Sequence, residues 1–161
     1  MRPLTVVVLS LLMIVVASCS RQSDADLPAE GFGILDQQLR AGAKLEVPVY
    51  LRTSETLKGI EFVLEWDVNA IQVDTPVLAE ALTDFSVHAR QHGPGRLKVL
   101  VFSMAGAVFD LKDPWILKIP ITALPSDGGS TTLAIGSAIF AGPGATSHEL
   151  PLHSCQLEIL P

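Results

Sequence analysis

The sequence predicts an all-β domain, and three observations support this fold class. Apolar and polar residues alternate with a period of two along most of the chain after residue 30, as in half-buried strands. Clusters of Gly, Pro, Asn and Asp separate the alternating segments, and no long segment has helical spacing. Because about nine short antiparallel strands must bury their apolar rows face to face, we expect a nine-stranded β-sandwich.

Two segments show the alternation most clearly, at residues 44–52 and 60–67. The first has an apolar row of Leu45, Val47, Val49 and Leu51 between Lys44, Glu46, Pro48, Tyr50 and Arg52. The second has an apolar row of Ile60, Phe62, Leu64 and Trp66 between Glu61, Val63, Glu65 and Asp67. We expect the apolar rows, Trp66 included, to lie in the core, and the second segment to present acidic residues outward.

The same pattern predicts the remaining strands. Seven more segments qualify, at residues 33–37, 70–74, 85–90, 97–103, 115–122, 131–139 and 154–159. Only residues 77–83 are compatible with a helical turn. The sequence shows no internal repeat, so one domain is expected.

The N-terminus has the features of a cleaved export signal. Met1 and Arg2 precede an almost uninterrupted apolar run from Leu4 to Ala17, the pattern of a secretory signal peptide. The run is about 14 residues long, whereas a helix that crosses the bilayer core needs roughly 20. We therefore expect a signal that is removed and not a permanent span.

The last three residues of the signal and the cysteine that follows them form a short motif. Val16-Ala17-Ser18-Cys19 resembles the lipobox of bacterial lipoproteins, in which the cysteine is acylated and becomes the new N-terminus. The resemblance implies that Cys19 carries lipid chains that anchor the protein durably to a membrane. Ser20 at the next position favours, by the family's sorting rule, the outer membrane of the cell envelope, on its periplasmic or surface side.

Three regions are therefore predicted. Residues 1–18 are a lipoprotein signal peptide, residues 19–30 are the lipidated cysteine and a flexible tether, and residues 31–161 are the β-sandwich. The tether assignment rests on the polar, aperiodic sequence of residues 20–29.

Composition limits the partners that the domain can bind. Removing residues 1–18 takes away Arg2 and no acidic residue, so 143 residues remain with 10 Lys and Arg against 17 Asp and Glu, a net charge of −7. No Lys/Arg cluster is apparent in the sequence, which argues against nucleic acid or an anionic membrane surface as the partner. With Cys19 lipidated, Cys155 has no disulfide partner, and we expect a buried thiol.

Four segments stand in the order and at the spacing of a known family. They are residues 41–49, which end in Val-Pro-Val, residues 57–73, which contain Trp-Asp-Val-Asn, and residues 95–103 and 115–121. Together they resemble the cohesin domain over about residues 32–160. The resemblance implies a nine-stranded jelly-roll sandwich that binds a dockerin module of another protein through one face. Related carbohydrate-binding modules and other immunoglobulin-like sandwiches are the alternatives.

The residues that would contact a dockerin match the family only in part. Glu61 stands at a position where the family often places an acidic contact. Gly59 stands where a polar side chain is usual, and Met104 where an acidic one often lies. The resemblance thus leaves two kinds of protein partner open, a dockerin-like module and a component of an envelope or secretion assembly.

The candidate protein-binding residues are the outward residues of two strands. Glu61, Val63 and Glu65 are expected to be joined by Lys98 or, in the other phase, by Leu100 and Phe102. A mixture of exposed apolar side chains and charges is typical of transient protein interfaces.

The sequence predicts no catalytic, metal or cofactor site. His88 and His92 are four residues apart in a strand entering a turn, where they lack the helical spacing that would bring both onto one metal. His148, His153 and Cys155 would hold a soft metal only if their side chains converged. We therefore expect a module that is not an enzyme.

Polysaccharide binding is the alternative function. Sugar rings stack on planar rows of exposed aromatic side chains. In this sequence Trp66 belongs to an apolar row, Trp115 begins an apolar strand, and Tyr50 stands alone. Two or three coplanar exposed aromatics in the folded domain would favour this alternative.

Overall fold

A computed structural model describes residues 27–110 and 112–161. The predicted signal peptide, Cys19 and most of the predicted tether lie outside the described residues, so what we predict of them stays a prediction.

Thirteen short strands and one 3-10 turn are present in the described residues. The strands are β1 (Gly31–Ile34), β2 (Gln37–Arg40), β3 (Lys44–Arg52), β4 (Gly59–Trp66), β5 (Ile71–Val73), β6 (Val77–Leu78), β7 (Ser86–Gln91), β8 (Arg96–Phe102), β9 (Trp115–Ala123), β10 (Gly129–Ala141), β11 (Ser147–His148), β12 (Leu152–His153) and β13 (Cys155–Leu160), and the turn spans Pro143–Ala145. Residues 27–110 and 112–161 contain no α-helix, and within them no helix is long and apolar enough to cross a membrane. The all-β prediction is confirmed.

The strands form two sheets that pack as a sandwich. Sheet A has the order β12-β1-β3-β9-β5, with β6 also paired to β9. Sheet B has the order β2-β13-β10-β4-β8-β7, with β11 also paired to β10. Neighbouring strands are antiparallel except at β1–β12 and β2–β13, which are parallel.

The predicted strands differ from the observed ones in number. The strand predicted at residues 33–37 is in fact two strands, since β1 pairs with β3 in sheet A and β2 pairs with β13 in sheet B. The chain changes sheet at Leu35 and Asp36. Strands β6, β11 and β12 have two residues each, too few to show an alternating pattern. Strand β6 begins residues 77–83, the segment whose sequence is compatible with a helical turn. These differences account for thirteen strands where nine were predicted.

The inward rows of both sheets form one core. Phe32 of sheet A contacts Phe62 and Phe140 of sheet B edge to face, with ring centroids 5.0 and 5.4 Å apart. All three side chains are almost completely buried. Because each such aromatic pair adds about 0.5–1.5 kcal/mol beyond the burial of its surface, this cluster stabilises the contact between the two sheets.

Two aromatic residues differ from the sequence prediction. Trp66 packs against the core but is only half-buried, because it is the last residue of β4. Tyr50, predicted on an outward row, is fully buried. Its ring lies 6.4 Å from that of Trp115 and 6.2 Å from that of His153, measured between centroids, and burial raises the pKa of Tyr50 to about 12.

The first described residues are held against sheet A. Leu27 is buried, and Nη1 of Arg52 donates hydrogen bonds to the carbonyl oxygens of Leu27 and Pro28 at 3.4 and 3.5 Å. Arg52 ends β3 and pairs with Gly31 of β1, so both strands of this contact belong to sheet A. The first described residues therefore lie on the sheet A side of the sandwich.

Candidate protein-binding face

The residues predicted for protein binding lie together on the outer side of sheet B. They are Glu61, Val63 and Glu65 of β4 and Lys98, Leu100 and Phe102 of β8. In the antiparallel register Glu61 faces Leu100, and Val63 faces Lys98. Lys98 was predicted as an alternative to Leu100 and Phe102, but all three point outward, because they alternate with buried residues of the same strand. We call this surface the candidate face.

Two ion pairs neutralise the acidic residues of the candidate face. Nζ of Lys98 lies 2.8 Å from Oε1 of Glu61, and Nη2 of Arg96 lies 2.8 Å from Oε1 of Glu65. The four side chains are 35–50% exposed, so each pair contributes only about 0–1 kcal/mol to stability. The acidic row predicted from sequence is therefore a row of locally paired charges.

Ile139 of β10 extends the candidate face and was not predicted to do so. Its side chain is 55% exposed, and it faces Glu61 in the β10–β4 register. The register shifts between Ile135 and Ser137, so that Ile135 and Phe140 both point inward although they are five residues apart. Strict alternation would have placed Ile139 with Ile135 in the core.

Gly136 is the extra residue of this bulge, and its lack of a side chain leaves room for the carboxylate of Glu65. A Cβ at Gly136 would lie 2.8 Å from the carboxyl carbon of Glu65, closer than such contacts are observed in proteins. The extra residue of the bulge therefore lies beside the side chain of Glu65, which forms the ion pair with Arg96. A glycine inside an otherwise regular strand is the signal in the sequence that indicates such a bulge.

Strands β4, β8 and β10 all contribute side chains to the apolar part of the candidate face. Leu100 is 38% exposed and Ile139 55%, with the half-buried Val63 and Phe102 beside them. Beyond the end of β8, Met104 is 87% exposed in a loop closed by a hydrogen bond from the Ala107 N–H to Oγ of Ser103. Apolar side chains with paired charges between them form the surface.

Solved structures match this architecture closely. A cohesin module from a family 33 glycoside hydrolase of Clostridium perfringens superposes with a TM-score of 0.67 and 19% identity, over 81% of this chain and 98% of that one. A chain of a type I cohesin–dockerin complex from Clostridium thermocellum gives a TM-score of 0.70 and 18% identity, with coverage of 81% and 98%.

The chain has the cohesin fold. A non-cellulosomal cohesin from the hyperthermophilic archaeon Archaeoglobus fulgidus also matches, with a TM-score of 0.63 and 11% identity over 81% of this chain and 91% of that one. Neither a protein-family model nor a curated protein sequence matches the chain. The cohesin fold predicted from the resemblance of four segments is confirmed. Sequence identities of 11–19% to these structures support the fold alone.

Two positions of this cohesin-fold domain lack the polar or acidic side chain that the resemblance to cohesins implies. Gly59 is buried, and a Cβ on it would lie 3.3 Å from the carbonyl oxygen of Val101. Met104, which is 87% exposed, presents a thioether at the position where the resemblance to cohesins implies an acidic group. At this end of the candidate face the domain therefore offers apolar surface and no polar contact from either position.

The histidines of the cohesin-fold domain are dispersed. Nδ1 of His148 lies 3.2 Å from Oε2 of Glu55, whereas His153 packs beside Tyr50 and Cys155 lies in the core. These three do not converge. Residues 27–110 and 112–161 contain no group of three or more His, Cys, Asp or Glu side chains placed to hold a metal ion.

Cys155 is buried, as the sequence predicts. Burial, followed by the negative charge of Asp36, raises the pKa of the thiol to about 12. The group therefore stays protonated at neutral pH, and a thiol in this state is a poor nucleophile.

The aromatic side chains considered for sugar binding do not form a row. Tyr50 is buried, and the half-buried Trp115 and Trp66 lie on different sheets. An open groove of about 620 Å³ runs beside Trp66, lined also by Glu65, Asp67, Arg96 and Thr132 among others. Trp66 is the one aromatic residue that lines this groove, whereas sugar binding usually uses a row of them.

Proposed function

We propose that this chain is a non-catalytic protein-binding module displayed at the cell envelope by a lipid on Cys19. The observation that carries the proposal is the candidate face, where the ion pair of Glu61 and Lys98 lies between exposed Leu100 and Ile139 on a cohesin fold. A mixture of exposed apolar side chains and charges is typical of transient protein interfaces.

A dockerin-like module is the first kind of partner to consider. Two of the matching structures, both from Clostridium thermocellum, are of type I cohesin–dockerin complexes. Gly59 and Met104 give the face an apolar end, so the partner that fits here presents apolar side chains at that end. A component of an envelope or secretion assembly with the same surface chemistry is the alternative partner.

The entry point of the chain supports display of the candidate face. Leu27 and Pro28 are held by Arg52 on the sheet A side, while the candidate face is the outer side of sheet B. Leu27, the first described residue, therefore lies on the side of the sandwich opposite to the face. A module anchored in this way leaves the face accessible to a partner away from the membrane.

Replacement of Cys19 by Ser tests the anchor. The hydroxyl of Ser cannot form the thioether that holds the lipid, so we expect the variant to lose fatty-acid labelling and to move from the membrane to the soluble fraction. Metabolic labelling with a tagged fatty acid, followed by fractionation, measures both. Continued labelling of the Cys19→Ser protein would refute lipidation at this residue.

Reversal of Glu61 to Lys tests recognition by charge at the candidate face. Surface charges govern the rate of association, so at low ionic strength the variant should change the rate with captured envelope partners by about threefold or more, slower where the partner presents a cation to Glu61 and faster where it presents carboxylates. An exchange of both charges, Glu61→Lys with Lys98→Glu, is the matched control because it keeps an ion pair at the same place. If the exchanged protein regains the original rate, the rate depends on the summed charge of the pair and not on which strand carries each sign. If Glu61→Lys alone leaves the rate unchanged, charge at this residue does not contribute.

A further inference from the structure

One hairpin of the domain is basic, although the chain as a whole is acidic. Residues 85–109 contain no Asp or Glu, whereas the whole chain has 17. The same segment contains three cationic residues and two histidines, Arg90, Arg96, Lys98, His88 and His92. These residues do not form a Lys/Arg cluster in the sequence, because they are not adjacent along the chain. Hairpin β7–β8 brings them together, since Arg90 of β7 faces Lys98 of β8.

The charges of this hairpin differ in how far they are neutralised. Arg96 and Lys98 are paired with Glu65 and Glu61 of β4, on the inner side of the hairpin. Arg90 is exposed, and no carboxylate among residues 27–110 and 112–161 forms an ion pair with it. Positive charge therefore remains at the outer side of the hairpin.

The hairpin also lies at an open edge of the sheet. Strand β7 is the last strand of sheet B, and no strand of the described residues pairs with its far side. On the opposite side of the candidate face, β10 contributes no charged residue. The chemical character of the face therefore changes across four neighbouring strands. It is apolar on β10, carries ion pairs on β4 and β8, and is basic on β7.

We infer that the partner of the candidate face carries an acidic protein segment that lies along hairpin β7–β8, with carboxylates against Arg90. The inference rests on the proposed function, because it assigns the chemistry of the partner at the same face. A guanidinium binds a carboxylate through two parallel hydrogen bonds. A protein segment fits better than an acidic polysaccharide or a lipid headgroup, because it can present apolar side chains to Leu100, which is 38% exposed and faces His88 across the hairpin, as well as carboxylates to Arg90.

The test uses a fluorescein-labelled hexaglutamate peptide and the full-length protein purified in detergent, followed by fluorescence anisotropy at an ionic strength of about 0.15 M, where the Debye length is about 8 Å. Arg90→Glu should weaken binding about tenfold, because a charge-assisted contact is replaced by repulsion. Arg40→Glu is the matched control, since Arg40 is exposed on β2, at the other edge of sheet B, and changes the net charge equally. We expect it to weaken binding less than about twofold, because four strands separate β2 from β7 and charges farther apart than the Debye length are largely screened.

Equal weakening by the two variants would mean that hexaglutamate responds only to net charge, and it would overturn the inference. No binding to the wild-type protein would do the same, as would tighter binding of oligogalacturonate or of anionic vesicles. A urea midpoint like that of the wild type shows that Arg90→Glu is folded. The proposed function and this inference can fail separately. If binding of envelope partners depends on Ile139 but binding of hexaglutamate does not depend on Arg90, the proposed function stands and this inference fails. If hexaglutamate depends on Arg90 while envelope partners do not depend on Ile139, the apolar contact fails instead.

Discussion

Replacing Phe32 with Ala should lower the free energy of unfolding by about 3–5 kcal/mol, the usual cost of removing a buried aromatic side chain. Phe32 is fully buried and contacts Phe62 and Phe140 across the two sheets. Its loss removes apolar burial, leaves a cavity and breaks both edge-to-face contacts. Because small domains are stable by only about 5–15 kcal/mol, the variant should unfold at a much lower urea concentration.

Trp66→Ala is the matched control for this prediction. Trp66 is a larger side chain but only half-buried at the end of β4, so its removal should cost about 1–2 kcal/mol, less than the loss at Phe32. Urea unfolding followed by circular dichroism measures both variants, since the signal does not depend on one tryptophan. If Trp66→Ala destabilised the domain as much as Phe32→Ala, the ring of Trp66 would be part of the core and its half-burial would be wrong.

Most strands are predictable from sequence because alternation is a local property. The predicted strand at residues 44–52 has the same bounds as β3, and that at residues 60–67 differs from β4 by one residue at each end. Half-burial on one side of a sheet imposes this pattern on neighbouring residues. The change of sheet at Leu35 and Asp36 could not be predicted, because alternation records which side is buried but not which sheet is joined.

Tyr50 illustrates a second limit of the pattern. Its position in the alternation indicates the outer side of sheet A, where it does lie. Trp115 and His153 cover it there, and both come from strands more than 60 residues away in the sequence. Burial by such distant side chains depends on the tertiary arrangement, so the sequence around Tyr50 contains no sign of it.

The candidate face could be predicted in its central residues but not at its edges. Glu61, Val63 and Glu65 follow from the alternation of one strand. Ile139 and Arg90 depend on the bulge at Gly136 and on the register of hairpin β7–β8. Both are properties of strand pairing, and a shift of one residue would have turned each side chain to the other side of the sheet.

Replacing Ile139 with Asp should abolish most binding of the native partner. Ile139 is 55% exposed in the apolar part of the candidate face, and a carboxylate buried there by a partner would be left without a cation. The loss should reach at least about 2 kcal/mol, roughly thirtyfold in affinity, as for residues at the centre of an interface. Val63→Asp, one strand away, should have the same direction of effect. Partners captured from envelope extracts on immobilised wild-type and variant proteins provide the measurement.

Val77→Asp is the matched control, because Val77 is 54% exposed and lies on β6 of sheet A. The same substitution at almost the same exposure should leave partner binding unchanged, and neither variant should lose more than about 0.5 kcal/mol of stability, since both side chains are mostly in water. Retention of every partner by folded Ile139→Asp and Val63→Asp proteins would exclude the candidate face as the interface. Loss of a partner from Val77→Asp alone would place the interface on the outer side of sheet A, and unaltered binding by all three variants would leave the loops around Gly93 and Gly142.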